Sequence, residues 1–374
     1  MKKRILITGG AGFIGSHLAD ELLAHGYQVR VLDCLSPQVH GNTTSPPGYL
    51  DRDVEFVRGD VRDSRAVGQA LKSVDIVYHL AALVGVGQSM YQVAEYCSVN
   101  DLGTAVLLEN LIAHPVEKLV VASSMSIYGE GLYSDSAGQF YENAQRSLDQ
   151  VRKSDWNIRN AAGEPLKPLP TPETKLPSVA SVYALSKYNQ ERICLIIGRA
   201  YGVPTVALRF FNAYGTRQAL SNPYTGVLAI FASRILNGKP PLVFEDGMQQ
   251  RDFVAVEDVA RACRLAIETK SPDLVDPVLN IGSGKAVSIL QVARSAARAL
   301  GCHSCTPEVT GKYRMGDIRH CFADITLARK ELGFEPRMTL EKGLVKLAEW
   351  LTGQVAVDRV MEASAELTSR GLAI

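Results

Sequence analysis

RILITGGAGFIGSHL, residues 4–18, decides the fold. Arg4–Thr8 is a short apolar run of strand length, and an amphipathic stretch follows from Ile14 to Ala24. Between them stand Gly9, Gly12 and Gly15. Glycine lets a backbone turn tightly and approach a pyrophosphate closely. The helix that opens at Ile14 then offers unpaired N–H groups and the positive end of its dipole. Three glycines at this spacing are weak evidence alone; a strand before them and a helix after them make the signal.

Working outward, apolar runs recur at Gln28–Leu32, Val54–Arg58, Ile76–His79, Lys118–Ser123 and Thr205–Phe210. Helical periodicity separates them at Ser64–Lys72, Tyr91–Ala113 and Val182–Tyr201. Alternation of this kind predicts an α/β fold, a doubly wound parallel (Rossmann-type) sheet covered on both faces. Asp33 ends the second run, where a carboxylate meets adenine ribose hydroxyls and repels a 2′-phosphate. Cys34 follows it, not an arginine, so NAD is favoured over NADP.

After Asn212 the loops lengthen, with helical signals at Thr225–Asn237, Val256–Thr269, Ile289–Ala299, Ile325–Leu332 and Leu340–Leu351. The expected division is an NAD-binding domain over 1–212 plus roughly 251–270, and a smaller C-terminal α/β substrate domain over 213–250 and 271–352. Residues 353–374 read as a peripheral helix or tail. Residues 131–178 are polar and carry five prolines. So long a connection inside a compact domain is functional or disordered; only Ala144–Val151 has helical character.

Composition excludes several classes. Of 374 residues, 40 are basic and 39 acidic, a formal net charge of +1, so no nucleic-acid partner is expected. No run is long and apolar enough for a transmembrane helix, and glycines interrupt the apolar stretch at the N-terminus that imitates a leader. The cysteines number seven and are scattered, which fits free thiols in a reducing cytoplasm. Cys302, His303, Cys305, His320 and Cys321 lack the spacing of a zinc site, so no metal is expected.

Tyr183 and Lys187 lie four apart in VYALSKYNQE and share a helix face. A tyrosine with a reference pKa of about 10 needs roughly 4 kcal/mol of phenolate stabilisation to act as a base near pH 7. A neighbouring ammonium and a cationic nicotinamide supply it. Ser124 ends the run VVASS, at the carboxyl edge where such sheets bind ligands.

TGGAGFIG, GDVRD (59–63), HLAA (79–82), SSMSIYG (123–129), YALSK (183–187), RFFNAYG (209–215) and RDFVAVEDVA (251–260) occur in a fixed order. Together they resemble the extended short-chain dehydrogenase/reductase family, in particular its nucleotide-sugar epimerases and dehydratases, over residues 3–350. The resemblance implies that Gly9, Gly12, Phe13, Ile14 and Gly15 hold the cofactor diphosphate and Asp33 the ribose. Asp60 and Val61 would meet adenine, and Leu80, Ala81 and Ala82 would flank the cofactor. Asn100 matches a structural helix residue. Ser124, Tyr183 and Lys187 match the catalytic set. Met125, Ser126, Asn212, Arg251, Arg314 and Asp317 fall on the substrate side, the arginines matching phosphate ligands.

The dehydratases of that family carry acidic residues after the catalytic Ser/Thr. Met125 and Ser126 stand there, which disfavours dehydration. The implied reaction is a redox-neutral 4-epimerisation of a nucleoside-diphosphate sugar through a 4-keto sugar. The 131–178 insertion is similar to the dTDP-L-rhamnose 4-epimerase branch; UDP-glucose or UDP-glucuronate epimerisation, and dehydration or reduction, remain alternatives. Family resemblance also implies a homodimer built on the helices bearing Val99, Leu102, Ile193 and Ile197.

Overall fold

The computed structural model describes all residues except 1, 223, 225, 270–276, 303, 315, 355 and 374. Strands β1 (Arg4–Thr8), β2 (Gln28–Asp33), β3 (Glu55–Arg58), β4 (Ile76–His79), β5 (Lys118–Ser124), β6 (Thr205–Phe210) and β7 (Val278–Ile281) form one seven-stranded sheet in the order β7-β6-β5-β4-β1-β2-β3. Every pairing in it is parallel. β6 is buried along its whole length and β5 along all but its first residue, as a sheet covered on both faces requires. The strand order reverses between β1 and β4, which opens a crevice at their carboxyl ends.

One face is covered by α1 (Phe13–Ala24) and α5 (Val256–Glu268); the other by α2 (Ser64–Ala70), α3 (Gly103–Ala113) and α4 (Val182–Tyr201). The seventh strand lies in a stretch assigned to the substrate domain on sequence grounds. That boundary needs correction. Leu279 and Ile281 belong to the central core, as do Ala328 and Leu332 of α6 (Thr326–Leu332). The smaller unit is built on strands Asn212–Tyr214, Gln250–Ala255, Ala286–Ser288 and His320–Cys321, with helices Val227–Leu236, Ile289–Ala299 and Leu340–Leu351 around a separate apolar cluster.

The periodic stretch Tyr91–Ala113 is not one helix. A short α-helix at Val93–Tyr96 passes through a π-helical turn, Cys97–Leu102, into α3. Asn100 sits in that turn, fully buried. Its Oδ1 accepts from Leu83 N at 2.7 Å, and its Nδ2 donates to Leu83 O and Ser186 Oγ. The widened turn faces this amide toward the loop after β4, which periodicity alone does not anticipate.

The insertion is ordered. Leu132–Ser134 pairs antiparallel with Phe140–Tyr141 and Lys167–Leu169 around Tyr133, Ile158 and Leu166. Its helix is shorter and later than expected, Leu148–Arg152, because Ser147 caps it by accepting from Gln150 N. The tail is anchored too. In helix Val360–Ser369, Ala363 and Leu367 are buried; Arg370 lies 4.4 Å from the centre of the Tyr91 ring, and Ala373 pairs with Arg314.

Cys302 and Cys305 form a disulfide, against the expectation of free thiols. The turn after Ile289–Ala299 brings their Cα atoms to 5.3 Å, within disulfide reach. His303 lies outside the described residues; Cys34, Cys97, Cys194, Cys263 and Cys321 are free.

Candidate functional site

The crevice begins at the glycine loop. Gly9 has φ +69°, and a Cβ there would meet Ala81 Cα and N at 2.8 Å. The loop therefore lies directly on the strip after β4, and a side chain at Gly9 would push the two apart. A Cβ on Gly15 would strike Gly9 O and Gly10 Cα at 2.5 Å, so the first turn of α1 closes onto the loop. A Cβ on Gly12 would meet only Gly9 O, at 3.3 Å. Phe13 stands edge-on to His17, and Ile14 packs on the central core.

Asp33 ends β2 as expected and is nearly buried. Its Oδ2 accepts from Ala11 N at 3.0 Å and its Oδ1 from Leu35 N at 2.9 Å. Each carboxylate oxygen keeps a further lone pair for a ribose hydroxyl. Gly59 N donates to Asp33 O, which brings Asp60 and Val61 to the same edge. The Asp60 carboxylate turns to Arg62, whose hydrogen bonds hold it below the usual carboxylate range. Val61 packs beside Gly103. Leu80, Ala81 and Ala82 are half-buried beside the glycine loop. An open glycine cradle at a helix N-terminus, with a fixed carboxylate at the end of β2, fits a dinucleotide.

Across the strip lies the amino end of α4. Ser181 caps it by accepting from Ala184 N at 3.1 Å, which leaves the N–H of Tyr183 to donate to Ser89 Oγ at 3.0 Å. Burial pushes the pKa of the Tyr183 hydroxyl up, and Ser124 beside it works against that shift. Ser124 accepts from Ser126 N at 3.2 Å and from Ser126 Oγ at 2.8 Å. With both acceptor directions engaged, Ser124 keeps its own proton to donate. Met125 is buried behind them.

One turn along α4, Lys187 is buried and donates to Gln190 Oε1 at 2.7 Å. Burial lowers its pKa to about 8, with Cys194 and Glu191 working the other way. The next residue, Glu191, is fully buried. It accepts from Arg209 Nη2 at 2.7 Å and Nε at 2.9 Å, and from Ser123 Oγ at 2.6 Å. Arg209 continues to Tyr128 OH, and Tyr128 to Asn280.

A second cluster sits in the smaller unit. Arg314 Nη2 donates to Asp317 Oδ2 at 3.3 Å, and Arg251 Nη2 lies 3.5 Å from Asp317 Oδ1. Burial works against the Asp317 charge, but Arg314, Arg251 and Arg146 prevail and hold its pKa low. Arg251 is nearly buried and also donates to the carbonyls of Gln250, Ile318 and Arg319. Asn212 donates to Asp252 O at 3.0 Å, beside Arg251. Arg251, Arg314 and Asp317 are thus brought together, and Asn212 is tied to the backbone of the strand that carries Arg251.

The sequence reading missed Arg146. It rises from the insertion, donates to Glu245 Oε1 at 2.8 Å and to Asp317 O at 3.1 Å, and lies over the Tyr313 ring. Its signal was slight: one arginine in a segment with no recognisable motif. Ser89 and Gln190 were missed as well, being single polar residues on helices.

Residues 5–148 and 161–282 match the model of the NAD dependent epimerase/dehydratase family. The chain belongs to that family. Among its curated members, the dTDP-L-rhamnose 4-epimerase of Burkholderia thailandensis is 35% identical over 357 residues, covering 94% of this chain and 96% of that protein. Among solved structures, UDP-glucose 4-epimerase from Thermotoga maritima, with UDP-glucose, aligns with a TM-score of 0.75 at 32% identity, over 94% of this chain and 99% of that one. UDP-glucuronic acid 4-epimerase from Bacillus cereus, with UDP-glucuronic acid and NAD, aligns with a TM-score of 0.76 at 28% identity, over 94% and 99%. The family match spans the glycine loop, Ser124, Tyr183, Lys187 and Arg251; Arg314 and Asp317 lie beyond it.

Proposed function

We propose that the protein is an NAD-dependent nucleoside-diphosphate-sugar 4-epimerase, with dTDP-L-rhamnose its substrate and dTDP-6-deoxy-L-talose its product. The observation that carries the reaction is the hydroxyl of Tyr183 set beside Ser124 in a buried site, with Lys187 one turn along the same helix. The sugar assignment rests on the 35% identity to the Burkholderia enzyme and on the insertion.

Gly9, Gly12, Phe13, Ile14 and Gly15 would hold the diphosphate of NAD, Asp33 its ribose, and Asp60 and Val61 its adenine edge, with Leu80, Ala81 and Ala82 alongside. When bound, NAD supplies the two-electron chemistry at sugar C4. Tyr183, as phenolate, takes the proton of the C4 hydroxyl and later returns it. Ser124 holds the same oxygen through both steps. The Lys187 ammonium stabilises the phenolate. Arg251 and Arg314 hold the two phosphates, with Asn212 beside them, so the nucleotide stays anchored while the sugar turns over. Met125 and Ser126 bound the sugar pocket, and neither is an acid, so water is retained.

Tyr183→Phe tests the reading. Turnover should fall by about three orders of magnitude while NAD stays bound, the scale of general acid–base catalysis. Undiminished turnover would remove Tyr183 as the base.

The assembly we propose is a cytoplasmic homodimer. Leu102, Leu185 and Ile196 are 52%, 45% and 56% exposed on neighbouring helices, an apolar face of the kind that joins subunits. Ile193 and Ile197 pack inward and do not belong to it. Ile196→Asp should give a monomer by light scattering; a wild-type dimer mass in that variant would place the interface elsewhere. Among the described residues no helix is long and apolar enough to cross a membrane.

A further inference from the structure

Lys187 needs a fixed position if its ammonium is to face both a phenolate and a cofactor ribose. A four-carbon stem does not provide it. Among the described residues its ammonium has one close side-chain acceptor, Gln190 Oε1 at 2.7 Å. Gln190 is itself fully buried and held on its other side. Its Nε2 donates to Thr104 Oγ1 at 2.8 Å and to Ala81 O at 3.3 Å, and lies 3.1 Å from His79 Nε2.

The protons around this amide are set by their partners. Thr104 gives its hydroxyl proton to Asn100 O, so its oxygen is an acceptor toward the His79 ring. His79 Nε2 therefore carries the ring proton, and Nδ1 accepts from Thr8 Oγ1 at 2.8 Å. Thr8 Oγ1 in turn accepts from Ala81 N at 3.3 Å. His79 is buried, which holds its pKa down at about 3, so the ring is neutral and this pattern is permanent near pH 7. The His79 Nε2–H faces the amide nitrogen at 3.1 Å and is the one contact left unsatisfied, while Lys187, Ala81 O and Thr104 Oγ1 are all satisfied by this orientation. Flipping the amide would aim Oε1 at Ala81 O and NH2 at the Lys187 ammonium, two repulsive contacts.

We propose that Gln190 is a positioning residue for catalysis, locking the Lys187 ammonium between Tyr183 and the cofactor strip by tying it to Ala81 and Thr104. One of the three Lys187 N–H donors is thereby fixed, leaving two for the phenolate side and the ribose side. The charged and titratable groups facing this ammonium are few. On its own helix they are Cys194 and Glu191, the last already held by Arg209; from β4 comes neutral His79, and one turn before Lys187 lies Tyr183, with Tyr96 edge-on to it from the helix before α3. A change at Gln190 is thus felt directly by Lys187 and through it by Tyr183.

The inference rests on the assignment of Tyr183 as base and Lys187 as its partner. Two variants test it in the full-length protein with NAD bound. Gln190→Glu keeps the shape and the acceptor but adds a negative charge. It should hold the ammonium more tightly, weaken its help to the phenolate, and move the acid limb of the kcat profile to higher pH by about one unit, with KM unchanged. Gln190→Met removes the acceptor and should lower kcat about 10- to 100-fold, the range of one charge-assisted hydrogen bond. Wild-type kcat and pH profile in Gln190→Glu would overturn the proposal whether or not Gln190→Met folds. So would a loss confined to thermal stability. Tyr183→Phe assayed alongside separates the two claims: an inactive Tyr183→Phe with an unaltered Gln190→Glu defeats the positioning role alone, and an active Tyr183→Phe defeats the assignment beneath it.

Discussion

Glu191 and Arg209 form a buried ion pair against Ser123, the neighbour of Ser124, and its removal carries a definite cost. The side chains are 0% and 6% exposed, and two hydrogen bonds of 2.7 and 2.9 Å join them. Glu191→Gln preserves volume and cancels one charge, leaving the Arg209 guanidinium buried with only Tyr128 OH and Glu173 O as other acceptors. Breaking such a pair from one side costs about 3–5 kcal/mol. At roughly 2 °C per kcal/mol for a large domain, the melting temperature should fall by about 6–10 °C. Removing both charges is a different perturbation. Glu191→Leu with Arg209→Met leaves no buried ion, with Ser123 Oγ short of an acceptor and Tyr128 OH and Glu173 O short of a donor, and should be less damaging than Glu191→Leu alone. A urea-denaturation cycle over wild type, both single variants and the double variant reads the coupling directly; about 2 kcal/mol or more is expected. Strict additivity, or a loss below about 1 kcal/mol in Glu191→Gln, would refute the cost assigned to breaking this pair.

Other consequences are as specific. Gly9→Ala forces a Cβ against the Ala81 backbone at a positive φ, so NAD affinity should drop at least about tenfold in a calorimetric titration; unchanged affinity would detach the glycine loop from the cofactor. His79, with its folded pKa pushed down to about 3 from 6.5, makes stability fall as pH drops below 6.5, because the unfolded chain binds the proton first. Between pH 7 and pH 5 this amounts to about 2 kcal/mol. His79→Gln should flatten that part of the stability–pH curve, and a curve of identical slope in the variant would mean His79 takes no part in it.

The central sheet was legible because its strands are nearly continuous apolar runs, each bounded by a turn or a helix signal. β7 escaped because Val278–Ile281 lies outside the strand–helix alternation of the first half and finds its partner, β6, some seventy residues upstream. The π-turn escaped because its cause is not local: Asn100 answers to Leu83 and Ser186, neither of which lies in its own helix. In the insertion the pairs are two or three residues long and join distant positions, so period-two alternation had no room to show. At the site, glycine spacing and the Tyr–Lys pair carry their own chemistry and stand out. Gln190 and Arg146 do not, since an amide or a guanidinium acquires meaning only from what lies against it. The disulfide was missed for the same reason, since a CxxC spacing does not say whether the turn closes.

The most direct test of the account is proton NMR of the purified protein with dTDP-L-rhamnose in deuterated water, run beside UDP-glucose and UDP-glucuronate. The account predicts a new C4 epimer from dTDP-L-rhamnose, with no net NAD consumption and no deuterium at C3 or C5. Loss of water, deuterium beside the carbonyl carbon, or inertness toward all three sugars would contradict it.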